Sequence, residues 1–285
     1  MANLLNLLPR LPISPEVGVI SAALIVSLAV ALIAMVRNRT SLVGSIDETG
    51  DLGVIFESPS ALLPHLLELR TRLINSLFAV LIATFVAALI TNQVLDLLAA
   101  PIGGLEKLQV IRVTESIHVY FEVSITVGII LASPYVIAQL WIFIAAGLKP
   151  SERRWFYLLF PFALLLFLCG VAFAYLVMLP AAIPFLIQFI GIRALPTLED
   201  YVDFVTTILL WVGLTFEMPL IMFLLAKAHI VSAGMLARGW RVAVLAITIL
   251  AAVITPTPDP FNMGLVAAPM LLLYVLSIIL AFFAR

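Results

Sequence analysis

Residues 117–154 read IHVYFEVSITVGIILASPYVIAQLWIFIAAGLKPSERR. From Val123 to Leu148 no side chain is charged, and then Lys149, Glu152, Arg153 and Arg154 arrive together. About 20 apolar residues are enough to cross the hydrocarbon of a bilayer as a helix, and lysines and arginines gather on the cytosolic side of such helices. The stretch therefore predicts a membrane-spanning helix that ends in a cytosolic turn. Topology explains the three cations of that turn and leaves Glu152 to be explained.

The rest of the chain repeats this pattern. Of its 285 residues, 64% are hydrophobic and 11% charged, and the mean hydropathy is +1.23. Together with several long apolar runs, these values indicate an all-α polytopic membrane protein. A net charge of -1 excludes a basic nucleic-acid footprint. The single cysteine, Cys169, lies in the apolar run LLLFLCGVAFAYLV, so no disulfide framework and no cysteine metal site is expected.

Helices are predicted at roughly 16–36, 73–97, 117–147, 155–180, 203–226, 240–255 and 262–284. The first has no small-residue cleavage site just after it and reads as a retained anchor. Residues 1–40 are thus an extra N-terminal transmembrane helix, the polar stretch 41–62 a cytosolic linker, and 63–285 a six-helix domain. With the linker inside, 11 of the 15 lysines and arginines are cytosolic, which places the N-terminus outside and the C-terminus in the cytosol.

Three segments depart from plain spans. Residues 96–116 are long and half apolar, which predicts a structured outer cap. The run PAAIPFLIQFIGIRALPTLEDY, residues 180–201, is broken by prolines and is expected to lie along the outer interface as a short helix. The helix ending at TPTPDP has only 13 residues from Val242 to Ile254, short of a bilayer, so it is held within the protein or the bilayer thins around it.

Three carboxylates stand out. Glu68 and Glu152 lie at the cytosolic face among Arg70, Arg72, Lys149, Arg153 and Arg154. Each either forms a solvated ion pair worth about 0 to 1 kcal/mol or binds a cationic ligand. Glu217 lies inside an apolar helix, where a charge costs roughly 2.5 to 3.5 kcal/mol on insertion scales. It either bonds a neighbouring helix or faces a partner, with Gln139 a candidate to share its site, and Pro219 loosens the helix beside it. His65, His118 and His229 show no ligand spacing, no nucleophile stands beside a base, and no phosphate-binding loop occurs. Neither enzyme activity nor a cofactor is expected.

Five segments in order, HLLELRTRL, SPYVIAQLWIFIAAGLKPSERR, GVAFAYLVMLP, TFEMP and TPTPDPF, resemble the motifs of the TatC family, the multispanning receptor subunit of the twin-arginine protein translocase. The resemblance implies six helices in a curved, glove-like arrangement in the cell membrane, with both ends of that domain cytosolic. It implies binding of twin-arginine signal peptides of folded precursors at Glu68 and Glu152, with Arg70 and Phe143 in the same region. A carboxylate suits that task because it accepts two parallel hydrogen bonds from a guanidinium. The resemblance further implies a polar site at Glu217 and Gln139 for TatA-like and TatB-like single-span subunits, an oligomeric complex, and transport driven by the proton-motive force. Pro101 and Asp259 match family positions where structural roles are expected.

The chain departs from the family pattern in its first helix, in AGLK where PGLY is common, in Glu122 where a lysine is common, and in Met263 where a glutamine is common. An inactive scaffold of the same fold remains an alternative, as does a small-solute transporter, although only one deep charge and no internal repeat is present.

Overall fold

A backbone in hydrocarbon has to satisfy its own N–H and C=O groups, so apolar runs bounded by charge fold as helices. The computed structural model of the protein describes residues 15–42, 59–146, 150–188, 195–227, 229–255 and 259–284. Its helices are α1 (Pro15–Leu42), α2 (Pro59–Ala88), α3 (Thr91–Ala99), α4 (Glu115–Ala146), α5 (Pro150–Phe173), α6 (Leu179–Gln188), α7 (Leu198–Thr215), α8 (Met218–Lys227), α9 (Ala233–Arg238), α10 (Trp240–Ile254) and α11 (Pro260–Phe283). Among the described residues, Leu66–Ala88, Glu115–Ile144, Leu158–Ile187, Leu198–Lys227 and Pro260–Phe283 are long and apolar enough to cross a membrane. Ala23–Met35 and Trp240–Ile254 are apolar but shorter.

α4 is the hub, packing against α1, α2, α5 and α7. One apolar core gathers Val202, Val205 and Ile208 of α7 with Val119 and Val123 of α4 and with residues of α3, α10 and α11. A second joins Ala138 and Ile142 of α4, Phe160 and Ala163 of α5, and Leu220 and Leu224 of α8. The extra helix is part of it, because Ala31 and Met35 of α1 are buried in the same cluster. This contact places the C-terminal half of α1 beside the C-terminal half of α4.

Several expected boundaries shift for identifiable reasons. The helix expected at 73–97 begins at Pro59, so residues 59–62 of the expected linker are helical, and 43–58 lie outside the described residues. It also breaks at Leu89 and Ile90 before α3 begins. The hydroxyl of Tyr120 donates to the Ala88 carbonyl at 2.6 Å, satisfying an acceptor that the break exposes. Of the run expected as an interfacial helix, residues 180–188 continue α5, and 189–194 lie outside the described residues. A π-helical turn at Ala174–Met178 leads into α6, which carries Pro184 in its interior. Such a bulge lets a helix absorb a proline-induced change of register without ending. The helix expected at 203–226 starts earlier, at Leu198, where the Thr197 side chain accepts from the Asp200 N–H, and it is interrupted at Phe216 and Glu217.

The end of the bundle where α4 and α7 begin is tied by one carboxylate. Glu115 accepts from the Ile111 N–H at 2.9 Å, the Arg112 N–H at 3.2 Å and the Glu199 N–H at 3.0 Å. Arg112 pairs with Glu199 across the same gap, and Gln109 bridges to the strand-like residues before α7, where the Leu198 N–H donates to the Gln109 carbonyl at 2.8 Å. The segment 100–114 is thus a structured cap, as its half-apolar composition predicts.

Two helix crossings are close at glycines. A Cβ on Gly128 of α4 would lie 2.6 Å from the Thr84 Cα of α2, and one on Gly170 of α5 would lie 2.8 Å from the Gly213 Cα of α7. Both approaches are backbone to backbone, so a side chain cannot be relieved by rotation. Gly128→Val and Gly170→Val are each expected to destabilise by about 1 to 3 kcal/mol. Thermal unfolding in detergent, followed by size exclusion of the soluble fraction, measures this; unchanged midpoints would show that the crossings relax.

Candidate functional site

The end of the bundle bearing Arg70, Arg72, Lys227, Arg238 and Arg241 is its basic end. α2 enters there, and its residues Glu68 and Arg72 are four apart, one above the other on the helix. Arg72 Nε donates to Glu68 Oε1 at 2.9 Å, and Arg72 Nη2 reaches the same oxygen. Arg72 Nη1 donates to Gln139 Oε1 of α4 at 3.2 Å. The three side chains form a chain from Glu68, whose side chain is 30% exposed, through Arg72 at 14%, to the buried Gln139. The Glu68 carboxylate here holds a guanidinium through two of its nitrogens.

Phe143 follows Gln139 by one turn of α4 and is half-buried. Arg70 is exposed on the opposite side of α2 from this chain. Glu152 lies in the first turn of α5, two residues after its start at Pro150. Its side chain lies outside the described residues, as does Lys149. The first turn of α5 follows the end of α4 that carries Gln139.

Glu217 lies between α7 and α8 at the helix interruption. Its backbone carbonyl accepts from the Leu220 and Ile221 N–H groups at 3.1 and 3.0 Å, which starts α8 again. Pro219 has no N–H to return to the preceding turn, which is why the helix interrupts here. The residue is buried, 6% exposed, and its Oε1 has no hydrogen-bond partner among the described residues. Leaving a carboxylate oxygen buried and unbonded is costly. Gln139, a candidate to share this site, accepts from Arg72.

The remaining expected positions stabilise local structure. Pro101 sits in the turn Ala100–Ile102 that follows α3. Asp259 caps α11, accepting from the Asn262 N–H at 2.7 Å and from Asn262 Nδ2 at 2.9 Å. Met263 packs against the larger apolar core. Glu122 does not face an arginine or lysine partner in the described contacts; it accepts from the Thr206 hydroxyl at 2.6 Å and lies 3.8 Å from His118. Sequence reading did not single out Glu115 as a clamp. Its position at the first residue of a helix was the available signal, since a carboxylate there meets unbonded N–H groups.

Residues 64–269 match the model of the family described as Sec-independent protein translocase protein (TatC). A TatC protein from Carboxydothermus hydrogenoformans is 38% identical over 232 residues, covering 80% of this chain and 96% of the relative. One from Deinococcus radiodurans is 39% identical over 232 residues, covering 77% and 85%. The crystal structure of the twin arginine translocase receptor TatC matches with a TM-score of 0.70 and 34% identity, over 77% of this chain and 99% of that one. The family match starts after α1, so the first helix stands outside the shared region. A shared sequence, a shared fold and a helical membrane architecture agree, and the chain belongs to the TatC family of Sec-independent, twin-arginine protein translocase components.

Proposed function

We propose that this chain recognises twin-arginine signal peptides with Glu68 and Glu152 at the cytosolic face of the cell membrane and gathers single-span TatA-like and TatB-like subunits around the bound precursor. The observation that carries this reading is the Glu68–Arg72–Gln139 chain. The Glu68 carboxylate accepts from two nitrogens of one guanidinium, and a peptide arginine that displaces Arg72 would meet the same acceptor. Glu152 lies in the first turn of α5, directly after α4, and this reading gives each of the two carboxylates one arginine. Arg70 and Phe143 flank them, the first exposed to water and the second toward the apolar interior.

The basic end is cytosolic in this reading, which the charge count supports. Trp240 and Arg241 at the start of α10 are both exposed, with the guanidinium 5.7 Å from the indole centre. Such pairs suit a membrane interface, where the ring meets hydrocarbon and the charge meets water. At the other end of α8, Lys227 Nζ donates to the Ala284 carbonyl at 3.2 Å, which holds the last turn of α11 at the same level. The N-terminus of α1 is then outside and the C-terminus of the chain in the cytosol. The energy for transport comes from the proton-motive force.

Glu217 serves as the polar contact for a partner subunit's helix. Its unbonded buried oxygen has the most to gain from a donor brought by another chain. The interruption at Phe216 and Glu217 gives the surrounding backbone room to accept that contact.

A charge-assisted hydrogen bond contributes about 1.5 to 3 kcal/mol, so losing one carboxylate is expected to weaken peptide binding by about 10- to 150-fold. Titration of a twin-arginine peptide against the full chain and against Glu68→Ala and Glu152→Ala measures this. Undiminished binding in both variants would remove the site assignment.

For Glu217, substitution by leucine removes the buried unbonded oxygen, so the thermal midpoint in detergent is expected to hold or rise. Recovery of tagged TatA-like or TatB-like subunits with Glu217→Leu is expected to fall. A lower midpoint with full recovery of those subunits would assign Glu217 to internal packing instead.

A further inference from the structure

Between Glu217 and Asp259 the chain has no Asp or Glu, yet it carries Lys227, Arg238 and Arg241. Lys227 donates to the Ala284 carbonyl. Arg238 and Arg241 are both exposed, and among the described residues neither pairs with a carboxylate, whereas Arg72 pairs with Glu68 and Arg112 with Glu199. Two neighbouring cations without a counter-charge repel each other, so an anion bound between them removes a cost as well as adding a bond.

The backbone sets the two arginines close together. Arg238 ends α9 and Arg241 is the second residue of α10, with only Gly239 and Trp240 between them. Gly239 has φ -79° and ψ 6°, close to helical values, and its carbonyl accepts from the Val242 and Ala243 N–H groups at 3.0 Å. Both side chains therefore leave the chain within one turn, near enough for a single phosphate to meet both. The Arg241 guanidinium lies over the Trp240 ring, 5.7 Å from its centre. That contact engages a face of the guanidinium and leaves its in-plane N–H groups to bond an oxyanion.

An apolar surface continues from the arginines. Val242, Leu245 and Ile249 of α10 are all exposed, Val242 at 72%, and their spacing of three and four puts them on one stripe. From Val242 to Ile249 the stripe runs roughly 11 Å at 1.5 Å per residue. One leaflet of hydrocarbon is about 15 Å deep, so the stripe fits within it. A free phosphate would leave this surface unused, whereas a lipid brings a headgroup to the arginines and an acyl chain to the stripe.

We propose that Arg238 and Arg241, with Trp240 between them, bind the phosphate of an anionic phospholipid whose acyl chain lies against Val242, Leu245 and Ile249. Charge selects the headgroup, because the ammonium of a zwitterionic lipid would bring a further cation to a site that already holds two. The site stands apart from Glu68 and Glu152 and does not depend on their assignment.

The test uses the full chain in detergent with two added lipids, phosphatidylglycerol, which is anionic, and phosphatidylcholine, which is zwitterionic. Native mass spectrometry is expected to show the parent chain retaining phosphatidylglycerol in preference. The double variant Arg238→Gln with Arg241→Gln is expected to bind phosphatidylglycerol about tenfold more weakly or worse and phosphatidylcholine equally well. Arg238→Lys with Arg241→Lys keeps the charge without the planar fork and is expected to restore part of the affinity. A photoreactive group on the acyl chain of phosphatidylglycerol is expected to label α10 near Val242–Ile249 in the parent and not in the glutamine double variant. Equal binding of phosphatidylglycerol by parent and double variant, no preference between the lipids, or labelling confined to other helices would overturn the site. Displacement of the lipid by inorganic phosphate alone would overturn the part assigned to the acyl chain. Loss of TatA-like or TatB-like subunits from the double variant with lipid binding unchanged would give the arginines to a protein partner instead.

Discussion

No water reaches a backbone amide in hydrocarbon, so every break in a spanning helix needs a substitute hydrogen bond from within the protein. The chain breaks its helices at three described places, and each is repaired differently. At Leu89 and Ile90 a tyrosine from α4 reaches the Ala88 carbonyl. At Ala174–Met178 the ladder widens by a π-turn and continues. At Phe216 and Glu217 the amides turn back to Val212 and Leu214, and the Glu217 carbonyl starts the next helix. The repairs at Leu89–Ile90 and Ala174–Met178 keep those breaks closed, whereas the interruption at Glu217 leaves a carboxylate oxygen unbonded.

The two ends of the bundle use charge in opposite ways. At the end where α4 and α7 begin, Glu115 gathers three backbone N–H groups and fixes the cap, and it is nearly fully buried. Tyr175 and Tyr201 add to this by donating to the Leu97 and Leu98 carbonyls, each at 2.7 Å. Charge there is spent on internal geometry. At the basic end, Glu68 remains 30% exposed and its contacts are to side chains that can rotate. A rigid end and an adjustable end follow from whether each carboxylate is bonded to backbone or to a side chain.

Much of this was legible in the sequence because hydrophobic length and charge position act locally. The apolar runs gave the spans, and Glu68 with Arg72 at four-residue spacing could be read as a self-pairing. The short helix before TPTPDP was legible too, since α10 has 15 residues and ends at Ile254. The run after Pro180 was not, because two prolines in an apolar stretch read as an interruption and only tertiary packing shows the π-turn that absorbs them. Nor could the sequence show that Gln139 would bond Arg72 rather than approach Glu217. Both partners are equally plausible along the chain, and the bond to Arg72 depends on the packing of α2 against α4. The burial of Ala31 and Met35 of α1 among residues more than 100 positions away is likewise a product of packing.

Arg72 has a consequence for discrimination. On the proposed reading, a guanidinium arriving at Glu68 competes with one that belongs to the protein, so part of its gain is offset by displacing Arg72. A lone arginine on a passing polypeptide gains little by that exchange. A pair brings a second bond that the resident arginine does not match, and the released Arg72 still has Gln139 to hold it. On that reading an internal competitor raises the threshold for occupancy and reserves a cation-binding carboxylate for ligands with two adjacent positive charges.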